Sequence, residues 1–201
     1  MPADTPANPD SPPPARPALG ARFDTRALRP PAAAADEAAV LQRQPACTAA
    51  LQAWCNGAGP ALAVAALQGP PADLAAWADA LARRLDGGTR LDALGRATGL
   101  AWRLRLKLAE AWPGRTRRPD DPWDAGWALA DGPAMAHWHT AWLPRRPTLV
   151  LADASQAAVL GPVVGALARR LANGAMPVRW VWVGGDGPAP AGLPICRFKL
   201  A

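Results

Sequence analysis

The chain has 201 residues, half of them apolar, enough for one domain with a tail and too few for two full cores. Its formal charge is +6, carried by 20 Arg and 2 Lys against 16 acidic residues, and it holds 24 Pro, 10 Trp, 2 Phe and no Tyr. No apolar run reaches the roughly 18 residues of a membrane-spanning helix, the N-terminus lacks the order of a secretory signal, and three Cys make neither a disulfide framework nor a zinc site, so a soluble cytoplasmic protein is expected. The excess of Ala, Arg, Pro and Gly is that of a GC-rich coding sequence, so the Arg:Lys ratio by itself does not argue for nucleic-acid binding.

Residues 1–36 read as a disordered Pro/Ala-rich tail. Nine of the 24 Pro fall in the first 31 residues, and no apolar periodicity accompanies them. Residues 37–86 read as a helical segment packed on the core. Val40, Leu41, Ala46, Leu51 and Trp54 predict one helix over 37–56 ending at Asn56-Gly57. Residues 60–67 read as a second helix. Leu74, Trp77, Ala78, Leu81 and Leu85 predict a third over 72–85, stopped by Gly87-Gly88.

From residue 87 to 201 short apolar runs alternate with helical stretches. Strands are predicted at 90–94, 125–130, 148–153 (TLVLAD), 178–183 (VRWVWV) and 194–200, and helices at 100–112, 133–142 and 156–173, the last with Pro162 inside it. The alternation implies an α/β fold with a three-layer, mostly parallel sheet of about four to five strands and right-handed crossovers. TLVLAD is nearly continuous in apolar character, as a strand covered on both faces requires.

The segment LDALGRATGLAWRLRLKLAEAW (91–112) resembles the start of a P-loop NTPase: a strand, a Gly-containing loop from Gly95 to Gly99, then an Arg/Leu-rich helix. TLVLAD resembles a Walker B strand ending on Asp153, and VRWVWVGG the next core strand. The order is similar to a bacterial signal-transduction (STAND) or AAA-type ATPase module over residues 72–188. With Gly95 as the first Gly of GxxxxGK[ST], the remaining positions hold Leu100, Ala101 and Trp102, so the phosphate Lys and the magnesium hydroxyl are replaced. Trp102 would place an indole where the helix start should receive an anion. The resemblance therefore implies a degenerate NTPase-like domain. Its nucleotide contacts would come from Gly95, Thr98, Gly99, Asp153 and Ser155, with at most weak binding of ATP or GTP with magnesium and no catalytic constellation.

Other features read more simply. Asp153-Ala154-Ser155 departs from DxSxS and DxD metal patterns at Ala157 and Ser155, and an Asp at this strand end suits capping of the next helix. His137 and His139, two apart on a helix, point to different faces and predict no metal site, even with Cys196 nearby in kind. Cys47 and Cys55 read as small apolar fillers. Gly184-Gly185-Asp186-Gly187 follows a strand and lies where ligands bind in parallel sheets, although an ordinary turn has the same composition.

Residues 95–118 carry Arg96, Arg103, Arg105, Lys107, Arg115, Arg117 and Arg118 against Glu110, a net +6 equal to that of the whole chain. This cluster, beside Trp102 and Trp112, suits a phosphate backbone or an acidic protein. Ten Trp exceed what such a core readily buries, so some, Trp123 and Trp127 first, are expected at the surface as a protein-binding patch. The expectation is a non-catalytic accessory or regulatory protein acting through protein contacts, with a basic nucleic-acid-binding accessory protein as the alternative.

Overall fold

The computed structural model describes residues 24–33, 36–87, 122–171 and 176–200. The predicted strand at 90–94 and helix at 100–112 lie outside them. The elements in chain order are β1 (Leu28–Arg29), α1 (Glu37–Gln42), α2 (Pro45–Asn56), β2 (Leu62–Gln68), α3 (Pro71–Asp86), β3 (Asp124–Ala128), α4 (Gly132–Thr140), β4 (Thr148–Asp153), α5 (Ala157–Arg170), β5 (Val178–Val183) and β6 (Ile195–Lys199). A single 3-10 turn, Ala154–Gln156, joins β4 to α5.

The strands form one six-stranded sheet in the order β1-β3-β4-β5-β2-β6. Every pairing is parallel except that of β1 with β3. The mixed α/β, mostly parallel architecture is the one the alternation of runs predicts. β4 and β5 have the predicted bounds, and β3 and β6 lie within a residue or two of theirs.

Side chains alternate across a strand, and here the alternation divides the core in two. Leu62, Val64, Val150, Ala152, Trp180 and Trp182 pack with Trp138 of α4 and Leu160, Val163, Val164 and Leu167 of α5. Ala65, Leu67, Leu149, Leu151, Val181 and Val183 pack with Leu51 and Cys55 of α2 and Leu74, Trp77, Ala78 and Leu81 of α3. α3 ends as predicted, with Gly87 in the left-handed region at φ 77° donating its N–H to Arg83 O.

Three expectations are corrected. Residues 60–67 are not a helix; Leu62–Gln68 is β2, an interior strand between β5 and β6. Ala-rich LAVAALQ has helical propensity, but both of its faces and both of its edges are used by the sheet, and that pairing prevails. The predicted helix 37–56 is broken at Arg43-Gln44, because Pro45 opens α2 at a first-turn position, where its missing N–H costs nothing. Residues 24–29 belong to the fold rather than to a tail. Leu28 and Arg29 pair with Ala128 and Trp127, Gly126 admits Arg29 O where a Cβ would lie 2.6 Å from it, and Asp24 meets His137 Nε2 at 2.5 Å.

The Trp expectation is also corrected. Trp123 is 2% exposed and Trp127 is half-buried. Trp142, Trp138, Trp180 and Trp182 pack in succession as tilted or edge-on rings, with centroid separations of 4.7, 5.8 and 5.5 Å. No described Trp is exposed, so the indoles build the core and form no surface patch among the described residues. No helix among the described residues is long and apolar enough to cross a membrane.

Candidate functional site

In an open parallel sheet, ligands gather at the carboxyl ends of the strands, where successive helices leave toward opposite faces. β2 and β4 make such a pair. α3 follows β2 onto one face, α5 follows β4 onto the other, and β5 lies between the two strands. Leu67, Val183 and Asp153 occupy the same register level across these three strands. With strands spaced about 4.8 Å, Asp153 and Leu67 stand roughly 10 Å apart at the crevice.

Three loops border the crevice. The first, Gly69-Pro70-Pro71, turns β2 into α3. Gly69 is needed for close approach, since a Cβ there would lie 2.8 Å from Leu200 Cβ. Neither Pro70 nor Pro71 has a backbone N–H. The N–H groups of Asp73 and Leu74 are both spent on Pro70 O, and the exposed Asp73 carboxylate lies in the first helical turn. A helix start of this kind offers few donors to an anion and opposes it with a negative charge.

The second loop holds Asp153 and Ser155, which the sequence singles out. Both are exposed. Asp153 Oδ1 accepts the Ser155 backbone N–H at 2.8 Å, so the carboxylate caps the 3-10 turn that leads into α5.

The third loop is Gly184-Gly185-Asp186-Gly187. Gly184, at φ 93°, donates its N–H to Leu67 O, and Gly185 abuts Ala154. Asp186 accepts from Gln68 Nε2 and from Arg197 Nε, each at 3.3 Å. Gly187 lies over the Trp182 ring, whose indole N–H donates to Pro188 O. The segment is therefore pinned across the edge of the sheet by the Asp186 carboxylate and by backbone contacts.

Gly95, Thr98 and Gly99, together with Arg96, Arg103, Arg105, Lys107, Arg115, Arg117 and Arg118, lie outside the described residues. His137 is engaged by Asp24 and His139 is exposed on the next turn face. Cys47 and Cys55 are buried and Cys196 is half-buried. Among the described residues no group of three or more His, Cys, Asp or Glu is placed to hold a metal ion. One residue the sequence reading passed over is Arg179, a charge inside an otherwise apolar strand and 2% exposed. A lone Arg in VRWVWV was the available signal.

No protein-family model matches the sequence, no curated protein matches it, and no solved structure matches its fold.

Proposed function

We propose that this chain is a non-catalytic accessory or regulatory protein on a degenerate NTPase-like α/β domain, acting through protein contacts with at most weak nucleotide binding. The observation that carries this reading is the loop between β2 and α3. It sits at a switch point of the sheet, where ligands bind in parallel sheets, yet Gly69-Pro70-Pro71 removes two N–H donors and Asp73 adds a charge that repels an anion. Asp153 stands at the Walker B position of the resemblance with one oxygen already used for capping. Phosphoryl transfer depends on positioning and charge neutralisation, and neither loop supplies them. Protein contact is supported by β6, which ends the sheet among the described residues and is open in kind to strand addition.

Thermal unfolding of the full chain with ATP or GTP and magnesium tests this. A ligand binding no tighter than its working concentration stabilises by about 0.4 kcal/mol, or roughly 1 °C. The expected shift is no larger, with no phosphate release. A saturable shift of several degrees that disappears in Asp153→Ala, or steady hydrolysis, overturns the reading.

The confinement of a net +6 to residues 95–118 favours the second reading, a basic nucleic-acid-binding accessory protein. Its mark is binding to random DNA or RNA that weakens steeply with salt and is lost on charge reversal of Arg103, Arg105 and Lys107.

A further inference from the structure

A cavity of about 640 Å³ lies at the amino edge of the sheet, opposite the crevice. It is bordered by residues 57–61 before β2, the end of α5, Pro177 before β5 and residues 190–193 before β6. Its volume is within the few hundred to a thousand Å³ of small-molecule sites. Ala61, Leu62, Ala168, Leu171, Pro190 and Leu193 give it apolar walls.

Arg179 is the charged group among the described residues of its lining, and no carboxylate accompanies it there. Its guanidinium packs over the Trp54 ring at 5.7 Å. Nη1 donates to Pro60 O at 3.2 Å and to Val178 O at 3.4 Å, and Nη2 donates to Gly57 O at 3.1 Å. These bonds hold the turn after α2, but a guanidinium has five N–H donors. Nε is buried without a hydrogen-bond partner among the described residues, and one Nη2 hydrogen is unassigned by these bonds. A buried cation that meets only neutral carbonyls and one aromatic face leaves part of its desolvation uncompensated.

We propose that this cavity binds a small organic carboxylate with an apolar body, its carboxylate paired with the Arg179 guanidinium, the one charged group of the described lining. A monoanion suits the site better than a phosphate dianion, because a single positive charge is available and the carboxyl end of α2, bearing partial negative charge, lies beside it. The apolar walls provide for the rest of the ligand.

Thermal unfolding and calorimetric titration of the full chain decide the matter. The probes are isobutyrate and benzoate, set against inorganic phosphate and glycerol phosphate, with chloride matching ionic strength. At a hundredfold excess over Kd the expected rise in Tm is about 5–10 °C. Arg179→Gln should abolish it and Arg179→Lys weaken it at least tenfold. Because Arg179 also holds the 57–60 turn, a second variant fills the cavity instead. Ala191→Trp, at an exposed lining position, should fold normally by circular dichroism and lose binding. The proposal fails if no carboxylate gives a saturable shift up to about 10 mM, the range of the weakest specific affinities. It also fails if the phosphates shift Tm as much as the carboxylates, or if a folded Ala191→Trp binds as tightly as the original chain.

Discussion

Trp127 on β3 donates its indole N–H to the Asp79 carboxylate on α3 across 2.6 Å, tying the sheet to the helix that covers it. The acceptor is charged and both groups are half-buried, so the bond belongs to the stronger, charge-assisted kind. Replacing Trp127 by Phe keeps an aromatic ring on the same face and removes the donor together with part of the ring. The expected loss is about 1.5–3 kcal/mol, read by urea denaturation as a lower midpoint at unchanged slope. A loss within experimental error would mean that water replaces the indole at Asp79.

Asp124 gives the fold a pH dependence of defined sign. Its side chain is almost wholly buried at the start of β3, and burial pushes its pKa from 3.8 up to about 7; Arg145 acts to lower it and Asp86 to raise it further. Arg146 Nη1 stands 3.6 Å from Asp124 Oδ1. Between pH 4 and 7 the folded chain keeps a proton here that the unfolded chain has released. The contribution of Asp124 to stability is therefore greatest below about pH 4 and is lost as pH rises to about 7, by up to about 1.4 kcal/mol per pH unit. Subtracting the stability curve of Asp124→Asn from that of the original chain should leave this slope, flattening above pH 7. A difference curve that rises with pH contradicts the assignment.

What could be read before the structure follows from how each strand is paired. β4 and β5 are legible because Leu149, Val150 and Leu151 form an unbroken apolar run and Val178, Trp180, Val181, Trp182 and Val183 form one interrupted only by Arg179. β2 is not, because Ala63, Ala65 and Ala66 suit a helix as readily, and only the flanking β5 and β6 make them a strand. The Trp count misled for a related reason. Trp180 and Trp182 share one face of β5, but Trp138 lies on α4, and only the fold brings it against them. Of the crevice, Asp153 and the Gly184–Gly187 turn were visible as motifs. The Gly69-Pro70-Pro71 turn was hidden by the misreading of β2, and the Arg179 cavity by loops converging from four places in the chain.

Gly187 is required by the ring beneath it. A Cβ there would lie 2.2 Å from Trp182 Cδ2, and the Trp182 indole N–H is fixed by Pro188 O. Neither the buried ring nor the backbone can move far in a packed core. Gly187→Ala should therefore cost about 1–3 kcal/mol through overpacking. The same substitution at Gly132, where nothing lies within 4 Å, should be nearly neutral. Thermal melts of the two variants give the comparison, and equal Tm values would show that the 184–188 turn swings away without cost.

The N-terminal anchor can be tested the same way, through Asp24. Its carboxylate meets His137 Nε2 at 2.5 Å and accepts the Arg26 backbone N–H at 3.1 Å, while its carbonyl accepts from Ala27 and Leu28. These bonds set the turn that delivers Leu28, 1% exposed, into the core beside Ala128. β1 is only two residues long, so its pairing with β3 holds little by itself. Asp24→Ala should release residues 24–29 first and leave the parallel strands intact, because local opening is cheapest where few contacts hold a segment. Hydrogen exchange reads this directly. Amides of Leu28 and Leu129, the latter donating to Ala27 O, should lose protection by at least tenfold, while those of β4 and β5 keep theirs. Uniform loss across all strands would show instead that Asp24 supports the whole sheet and that the N-terminal segment does not open as a separate unit.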